Sequence, residues 1–397
     1  MADLPPRDRH LAHELSAGVL RTRRALDQAL DISHVDTRLR DILRLGVYQL
    51  RRLDRIPPHA AVSTSVELAR ATAGEGAARY VNQALRKLAG SGDPRGHERE
   101  VVQSHPEWLV ARWRHRFGPE ALDRLLAWND TKPRLVVQPV GWDSGSLRSR
   151  IESAGYTVEL SPYDAGLVVS RTSTTPHSPL PRGLPGYAEG AFIVQDPAQV
   201  LVCRFAAVPS GARLYDACAA PGGKTVALAR AGATVTAGER RPERMGRLKE
   251  TLRRAGVAAP VVAADLLAAP WRPGGWDAVL VDAPCSATGT MARHPDARWR
   301  LTSGAIDRLG QRQARLLDAA AALVRPGGLV VYATCSLEAE ENENQVEAFL
   351  RRHPAFGRAP VPGAVPPELV TAVGDFCSRP WQHGIDGAYA ARLERRA

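Results

Sequence analysis

Between residues 8 and 90 apolar side chains recur at helical spacing. Leu11, Leu15, Leu26 and Leu30 form one stripe, and Leu39, Ile42, Leu43, Val47 and Leu50 form a second. Pro57-Pro58 interrupts the pattern, after which Val62, Val66 and Ala69, then Tyr80, Val81, Ala84, Leu85 and Leu88, resume it. Stripes of this kind bury one face of each helix. They predict a helical bundle and say nothing of its role. The run SGDPRG at 91–96 reads as a linker.

Beyond it the texture is mixed. Trp108, Leu109, Trp113 and Phe117 mark a helix, and Arg134–Val137 and Leu167–Ser170 read as short strands. The proline-rich run TTPHSPLPRGLPG at 174–186 reads as a connecting loop with restrained φ angles. From residue 211 strands alternate with longer helices. Strands Arg213–Ala217, Thr234–Gly238, one ending near Asp265, DAVLVD ending at Asp282 and Leu329–Thr334 are separated by helices near Lys224–Arg230, 242–255 and 305–323, and helix 340–352 follows. This order predicts a mostly parallel, doubly wound, Rossmann-like sheet, which binds ligands outside the carboxyl ends of its strands. The expected architecture is multidomain α + α/β: a helical domain over 1–100, a small α/β cap over 101–205 and a doubly wound domain over 206–397.

Composition narrows the class of function. The 397 residues carry a net charge of +11, which favours a polyanionic partner. The cations are 49 Arg and only 4 Lys, a bias of the kind a GC-rich genome produces, so the charge is weak evidence by itself. The scarce Lys87, Lys132, Lys224 and Lys249 mark positions where Arg would not serve. The five Cys form no CxxC pair and no cluster with His at zinc spacing, so no metal is expected. The polar start and the lack of an apolar run of about 18 residues lead us to expect a cytoplasmic protein with reduced thiols and no membrane span.

The chemistry gathers in three motifs. In DACAAPGGKT, residues 216–225, Gly222 and Gly223 allow close backbone approach at a helix start. A phosphate-binding loop would need Gly where Cys218 stands. Glu239, at the end of the next strand, suits ribose hydroxyls, and Asp265 suits an adenine amino group. A nucleoside cofactor without a pyrophosphate, such as S-adenosylmethionine, meets that description. The other two motifs, DAPCS at 282–286 and TCS at 334–336, each put a Cys just past a strand. A thiolate adding to carbon 6 of cytosine makes carbon 5 nucleophilic, and a carboxyl near N3 stabilises the adduct. Cys335 also precedes the helix expected from Glu340, whose N-terminus would favour a thiolate if it lay close.

These motifs, with RHPDARWR, PGGLVVYATCS, EENE, GAFIVQDPAQVLV and the terminal HGIDGAYAARL, resemble the Sun/Nop family of RNA cytosine-5 methyltransferases over about 190–397. DRHLAHELSAGVLR, LRDILRLGVYQL, IPPHAAVSTSVELA and YVNQALRKL resemble the NusB-like RNA-binding domain of the RsmB branch, with the chain entering at what looks like that domain's second helix. The resemblance implies methylation of a cytosine in small-subunit ribosomal RNA. The alternatives are the same chemistry on transfer RNA, or a non-catalytic RNA-binding assembly factor. It further implies that Cys335 is the nucleophile, that Cys285 assists product release and that Asp282 contacts the target base near the methyl donor. Cys218, Ala219, Ala220, Pro221, Gly222, Gly223, Lys224, Glu239, Asp265 and Asp282 would bind S-adenosylmethionine. Arg293, His294, Arg298 and Arg300, within a basic run at 292–315, would lead RNA to the site, and Trp299 either stacks on a base or packs in the core. The sequence departs from the family where Leu135-Val-Val-Gln138 lacks the usual Arg, and where Ala287 and Ala292 replace Gly and Arg. A monomer is expected.

Overall fold

The structure is a computed structural model that describes residues 5–30, 32, 34–90, 104–172 and 180–397. The linker at 91–96 and residues 174–179 of the proline-rich run lie outside the described residues. The chain divides into two compact units: residues 1–132 with 291–300, and residues 133–290 with 301–397.

The first unit is helical, with α1 (Pro6–Leu30), α2 (Thr37–Arg52), α3 (Pro58–Ala89), α4 (Glu107–Phe117) and α5 (Pro119–Asp130). Asp36 caps α2 by accepting from Arg38 N at 2.9 Å, and Pro58 opens α3, where its missing N–H costs nothing. Leu26, Ile42, Leu43, Val47, Val81 and Leu85 meet in one core, the stripes read from the sequence. Arg44 is buried beside that core, with both nitrogens of its fork on the Asp27 carboxylate at 2.6 and 2.7 Å. Residues 104–132, assigned to the cap from the sequence, pack here instead.

The second unit holds two sheets. Its smaller sheet is antiparallel and four-stranded. It comprises β1 (Leu135–Pro139), β2 (Tyr156–Leu160), β3 (Leu167–Arg171) and β4 (Phe192–Val194), in the order β2-β3-β1-β4, with α6 (Ser144–Ser153) against it. The larger sheet follows α7 (Pro197–Ala206). It alternates β5 (Arg213–Asp216), α8 (Gly223–Arg230), β6 (Thr234–Glu239), α9 (Pro242–Arg254), β7 (Val261–Ala263) and β8 (Trp276–Asp282). After α10 (Ala297–Arg300), which belongs to the helical unit, come α11 (Ser303–Leu323), β9 (Val324–Thr334), α12 (Glu343–Arg352), β10 (Phe356–Arg358), β11 (Phe376–Ser378), α13 (Pro380–His383) and β12 (Ala388–Arg395).

Strands β7, β6, β5, β8 and β9 are parallel, and β12 and β10 add antiparallel neighbours beyond β9. The sheet is therefore mixed: its five parallel strands are the expected part, and the antiparallel strands beyond β9 are not. Its period of two sorts the core. Val279, Val281, Val330 and Tyr332 face the cluster that contains Leu316, Leu317 and Phe349, while Ala278, Leu280 and Val331 face the one that contains Leu214 and Leu228. With both faces covered, the parallel strands are continuous apolar runs, and polar side chains appear where the strands end. No helix among the described residues is long and apolar enough to cross a membrane.

Candidate active site and cofactor turn

The acidic strand ends come first. Asp216 closes β5 and is fully buried; Thr225 Oγ1 donates to its Oδ2 at 2.7 Å, while its Oδ1 has no hydrogen-bond donor. Burial pushes this carboxyl up to about 7. Between Asp216 and α8 the chain folds back tightly, with Ala219 N donating to Gly238 O at 2.9 Å and Gly222 N to Ala219 O at 2.7 Å. Gly222 has φ +108°, and a Cβ there would lie 3.0 Å from Leu248 Cδ1, so the turn requires glycine.

Glu239 closes β6, nearly buried. Its Oε1 accepts from Arg241 N at 2.8 Å, and its Oε2 lies 3.3 Å from Arg244 Nη1 but in no hydrogen-bond geometry. Asp265 does not end a strand: β7 stops at Ala263, and Asp265 caps the next turn by accepting from Leu267 N at 3.1 Å. Two buried acceptors without donors, one on β5 and one on β6, fit the polar groups of a nucleoside cofactor beside a glycine turn.

Lys224, on the first turn of α8, donates to Asp282 Oδ2 at 2.7 Å and to Gln199 Oε1 of α7. Burial alone would lower this ammonium; the Asp282 charge outweighs it and holds Lys224 above its usual range. Gln199 is a contact the sequence reading missed. It lies in GAFIVQDPAQVLV, but only the fold shows that α7 delivers it to the turn.

The two cysteine motifs converge. Parallel pairing sets Asp282 opposite Ala333, so both loops leave the sheet at the same edge. Cys285 Sγ and Cys335 Sγ stand 3.2 Å apart, and Cys335 N donates to Cys285 Sγ at 3.4 Å. The hydrogen bond to Cys335, with burial, pushes the Cys285 thiol well up. Ala287 has φ +59°, a left-handed conformation that glycine adopts without strain. The helix expected from Glu340 begins at Glu343, because residues Ala339–Glu341 make a separate tight turn. Glu341 from this turn was also missed. It is fully buried between the two cysteine loops and accepts from Ser286 N at 2.9 Å and Ser336 Oγ at 2.5 Å. Among the described residues no group of three or more His, Cys, Asp or Glu could hold a metal ion.

The basic run is divided. Arg298 corrects the expectation of an RNA contact: it is 0% exposed inside the helical unit, with Nη1 donating to Asp130 Oδ1 at 2.8 Å and Nη2 to Asn129 O at 2.8 Å. A cation with no path to solvent cannot meet a phosphate. Trp299 is also engaged, its indole N–H donating to Leu20 O at 2.7 Å and its ring 4.8 Å from the Arg23 guanidinium. His294 and Arg300 stay exposed, Arg300 paired with Asp296 at 2.7 Å, and Arg293 is half-buried.

The family described as 16S rRNA methyltransferase RsmB/F matches residues 206–394, and the NusB family matches residues 1–90. The chain is 33% identical to the probable ribosomal RNA small subunit methyltransferase B of Synechocystis sp., over 99% of this chain and 92% of that protein. It is also 33% identical to the ribosomal RNA small subunit methyltransferase B of Salmonella typhi, over 88% and 83%. The fold matches the crystal structure of PH0851 with a TM-score of 0.80 at 24% identity, covering 96% of this chain and 89% of that one. NSun6 from Pyrococcus horikoshii, solved with SFG, matches with a TM-score of 0.63 at 18% identity, over 75% of this chain and 100% of that one. With identity and coverage of this extent, the chain belongs to the RsmB/F family of ribosomal RNA small subunit methyltransferases.

Proposed function

We propose that this protein methylates carbon 5 of a cytosine in 16S ribosomal RNA through a covalent adduct between Cys335 and carbon 6. The observation that carries the reading is the 3.2 Å approach of Cys285 and Cys335 at one sheet edge that also holds Asp282 and Lys224. The relatives' names support the choice of ribosomal RNA.

S-adenosylmethionine, when bound, supplies an electrophilic methyl group. Residues Cys218 to Lys224 with Glu239 fit it: the turn excludes side-chain bulk at Gly222, and the donor-free oxygens of Asp216 and Glu239 await hydroxyl or amino hydrogens. Asp265 caps its own turn through Oδ1, and its Oδ2, 3.8 Å from Arg240 Nε, would meet the adenine amino group.

Cys335 attacks carbon 6 as the thiolate, and the electron pair leaving the C5–C6 double bond moves to N3, which takes a proton passed through Asp282 from the Lys224 ammonium bonded to it and returns it when the ring becomes aromatic again. Carbon 5, now enamine-like, takes the methyl group. Cys285 must then accept the carbon-5 proton, so that the Cys335–carbon bond breaks and the aromatic ring returns. The pair separates these roles in time. While Cys335 is free, its hydrogen bond helps hold the proton on Cys285; once Cys335 is bound to carbon that contribution is lost, though burial and Glu341 still push the thiol up, and Cys285 must release its proton to solvent before it acts as base.

The test is the cysteine pair itself. Cys335→Ala is expected to abolish methyl transfer and to leave no covalent RNA adduct. Cys285→Ala is expected to accumulate a denaturation-resistant protein–RNA adduct that requires Cys335. Full activity in Cys335→Ala would sink the assignment, and an adduct in that variant would exchange the two roles. Bisulfite sequencing of 16S and transfer RNA from a deletion strain identifies the target.

A further inference from the structure

Glu341 takes no part in the steps above, yet it is 0% exposed and holds more hydrogen bonds than its own turn needs. Its Oε1 accepts from Ser286 N at 2.9 Å and Gln313 Nε2 at 3.0 Å. Its Oε2 accepts from Ser336 Oγ at 2.5 Å and also from Ser286 Oγ. Ser286 follows Cys285, and Ser336 follows Cys335. Gln313 donates as well to Pro284 O at 2.9 Å, on the other side of Cys285. The main chain of Glu341 is itself anchored, since Tyr332 OH donates to the Glu341 carbonyl oxygen at 2.6 Å. Burying a carboxylate is costly, and the donors gathered around this one offset the cost; an apolar side chain in its place would leave the buried Ser286 amide unpaired. What the carboxylate supplies is geometry: one rigid acceptor bonded to the residue after each cysteine.

We propose that Glu341 is a positioning residue that sets the separation of Cys285 and Cys335, so that both thiols reach the same cytosine ring in turn. The proposal rests on the two-cysteine reading above. Further bonds join the loops without Glu341, among them Gly289 N to Cys335 O at 2.9 Å, Leu337 N to Thr288 Oγ1 at 2.8 Å and the 3.1 Å contact between the Ser286 and Ser336 hydroxyls. Loss of the carboxylate therefore displaces the thiols by about an ångström rather than parting the loops, and a displacement of that size costs about a hundredfold in rate.

The experiment compares the full-length protein with Glu341→Ala, Glu341→Gln and Glu341→Asp. Thiol separation is read directly as the rate at which diamide closes a Cys285–Cys335 disulfide, followed by mass spectrometry of the linked peptides; the thiols lose two electrons and two protons to one diamide. In parallel, kcat and KM are measured on an RNA transcript, and S-adenosylmethionine binding by calorimetry. Glu341→Ala is expected to close the disulfide about tenfold more slowly and to lose about a hundredfold in kcat, with KM and cofactor affinity within about threefold. Glu341→Gln, whose amide can still accept from Ser286 N and bond the hydroxyls, is expected to keep both rates within about fivefold. A purely stabilising role would lower the melting temperature and leave both rates unchanged below it. Wild-type disulfide closure in a folded Glu341→Ala overturns the proposal. If that variant does not fold, Glu341→Asp, which keeps the charge but draws the carboxylate back by one methylene, decides: slower closure supports the proposal and an unchanged rate overturns it. Retained methyl transfer in Cys335→Ala would refute the chemistry while leaving the disulfide result standing.

Discussion

Replacing Arg298 by methionine keeps an unbranched apolar stem in the helical unit but removes the guanidinium. That group donates to Asp130 Oδ1 at 2.8 Å, Ser104 O at 3.1 Å and Asn129 O at 2.8 Å, so the substitution strands one carboxylate and two main-chain carbonyls. Breaking a buried ion pair from one side costs about 3–5 kcal/mol. The Asp130 side chain retains 22% exposure, so water recovers part of the loss and the lower end, about 3 kcal/mol, is expected. A chain of two units does not melt in one step, so the assay is amide hydrogen exchange of α4 and α5, where about 3 kcal/mol corresponds to exchange about a hundredfold faster. Adding Asp130→Asn to Arg298→Met should cost less than the sum of the single changes, because it neutralises the carboxylate left alone. Exchange at the wild-type rate, together with weakened RNA binding, would refute the burial argument and restore Arg298 as an RNA contact.

Asp216 binds its proton in the folded state up to about pH 7, whereas the unfolded chain releases it near 3.8. Its contribution to stability is thus greatest below the unfolded value and is lost as pH rises toward 7, by about 4 kcal/mol in all. Asp216→Asn should flatten that slope in cofactor-free protein, measured by proteolysis at pH 5 and pH 8; an unchanged slope would place the titration elsewhere. Lys224→Arg should lower turnover at least about tenfold, because a planar fork cannot replace a compact ammonium held between Gln199 and Asp282; initial rates check it. Gly222→Ala forces a side chain into φ +108° against Leu248 and should destabilise by about 1–3 kcal/mol while weakening cofactor binding, read by calorimetry.

Much of this protein is legible in local pattern. The stripes of α2 and α3, the apolar run of β8 and the glycine turn into α8 follow from spacing and backbone chemistry alone, since each is settled by interactions a few residues apart. The motifs around Cys285 and Cys335 were equally visible as separate segments. Their mutual approach was not, because 50 residues and the parallel register of β8 against β9 intervene. Glu341 looked like one acid in a run of acids; its role depends on Ser286 and Gln313, brought to it by a different strand end and α11. Arg298 looked like a surface cation in a basic run, and only its burial against Asn129 and Asp130, far away in sequence, turned it into a structural one. What the sequence determined by itself was the kind of element and the chemistry each could carry. Which of those groups meet, and which are removed from water, was decided only by the tertiary structure, because register and burial arise from contacts between segments that no local pattern encodes.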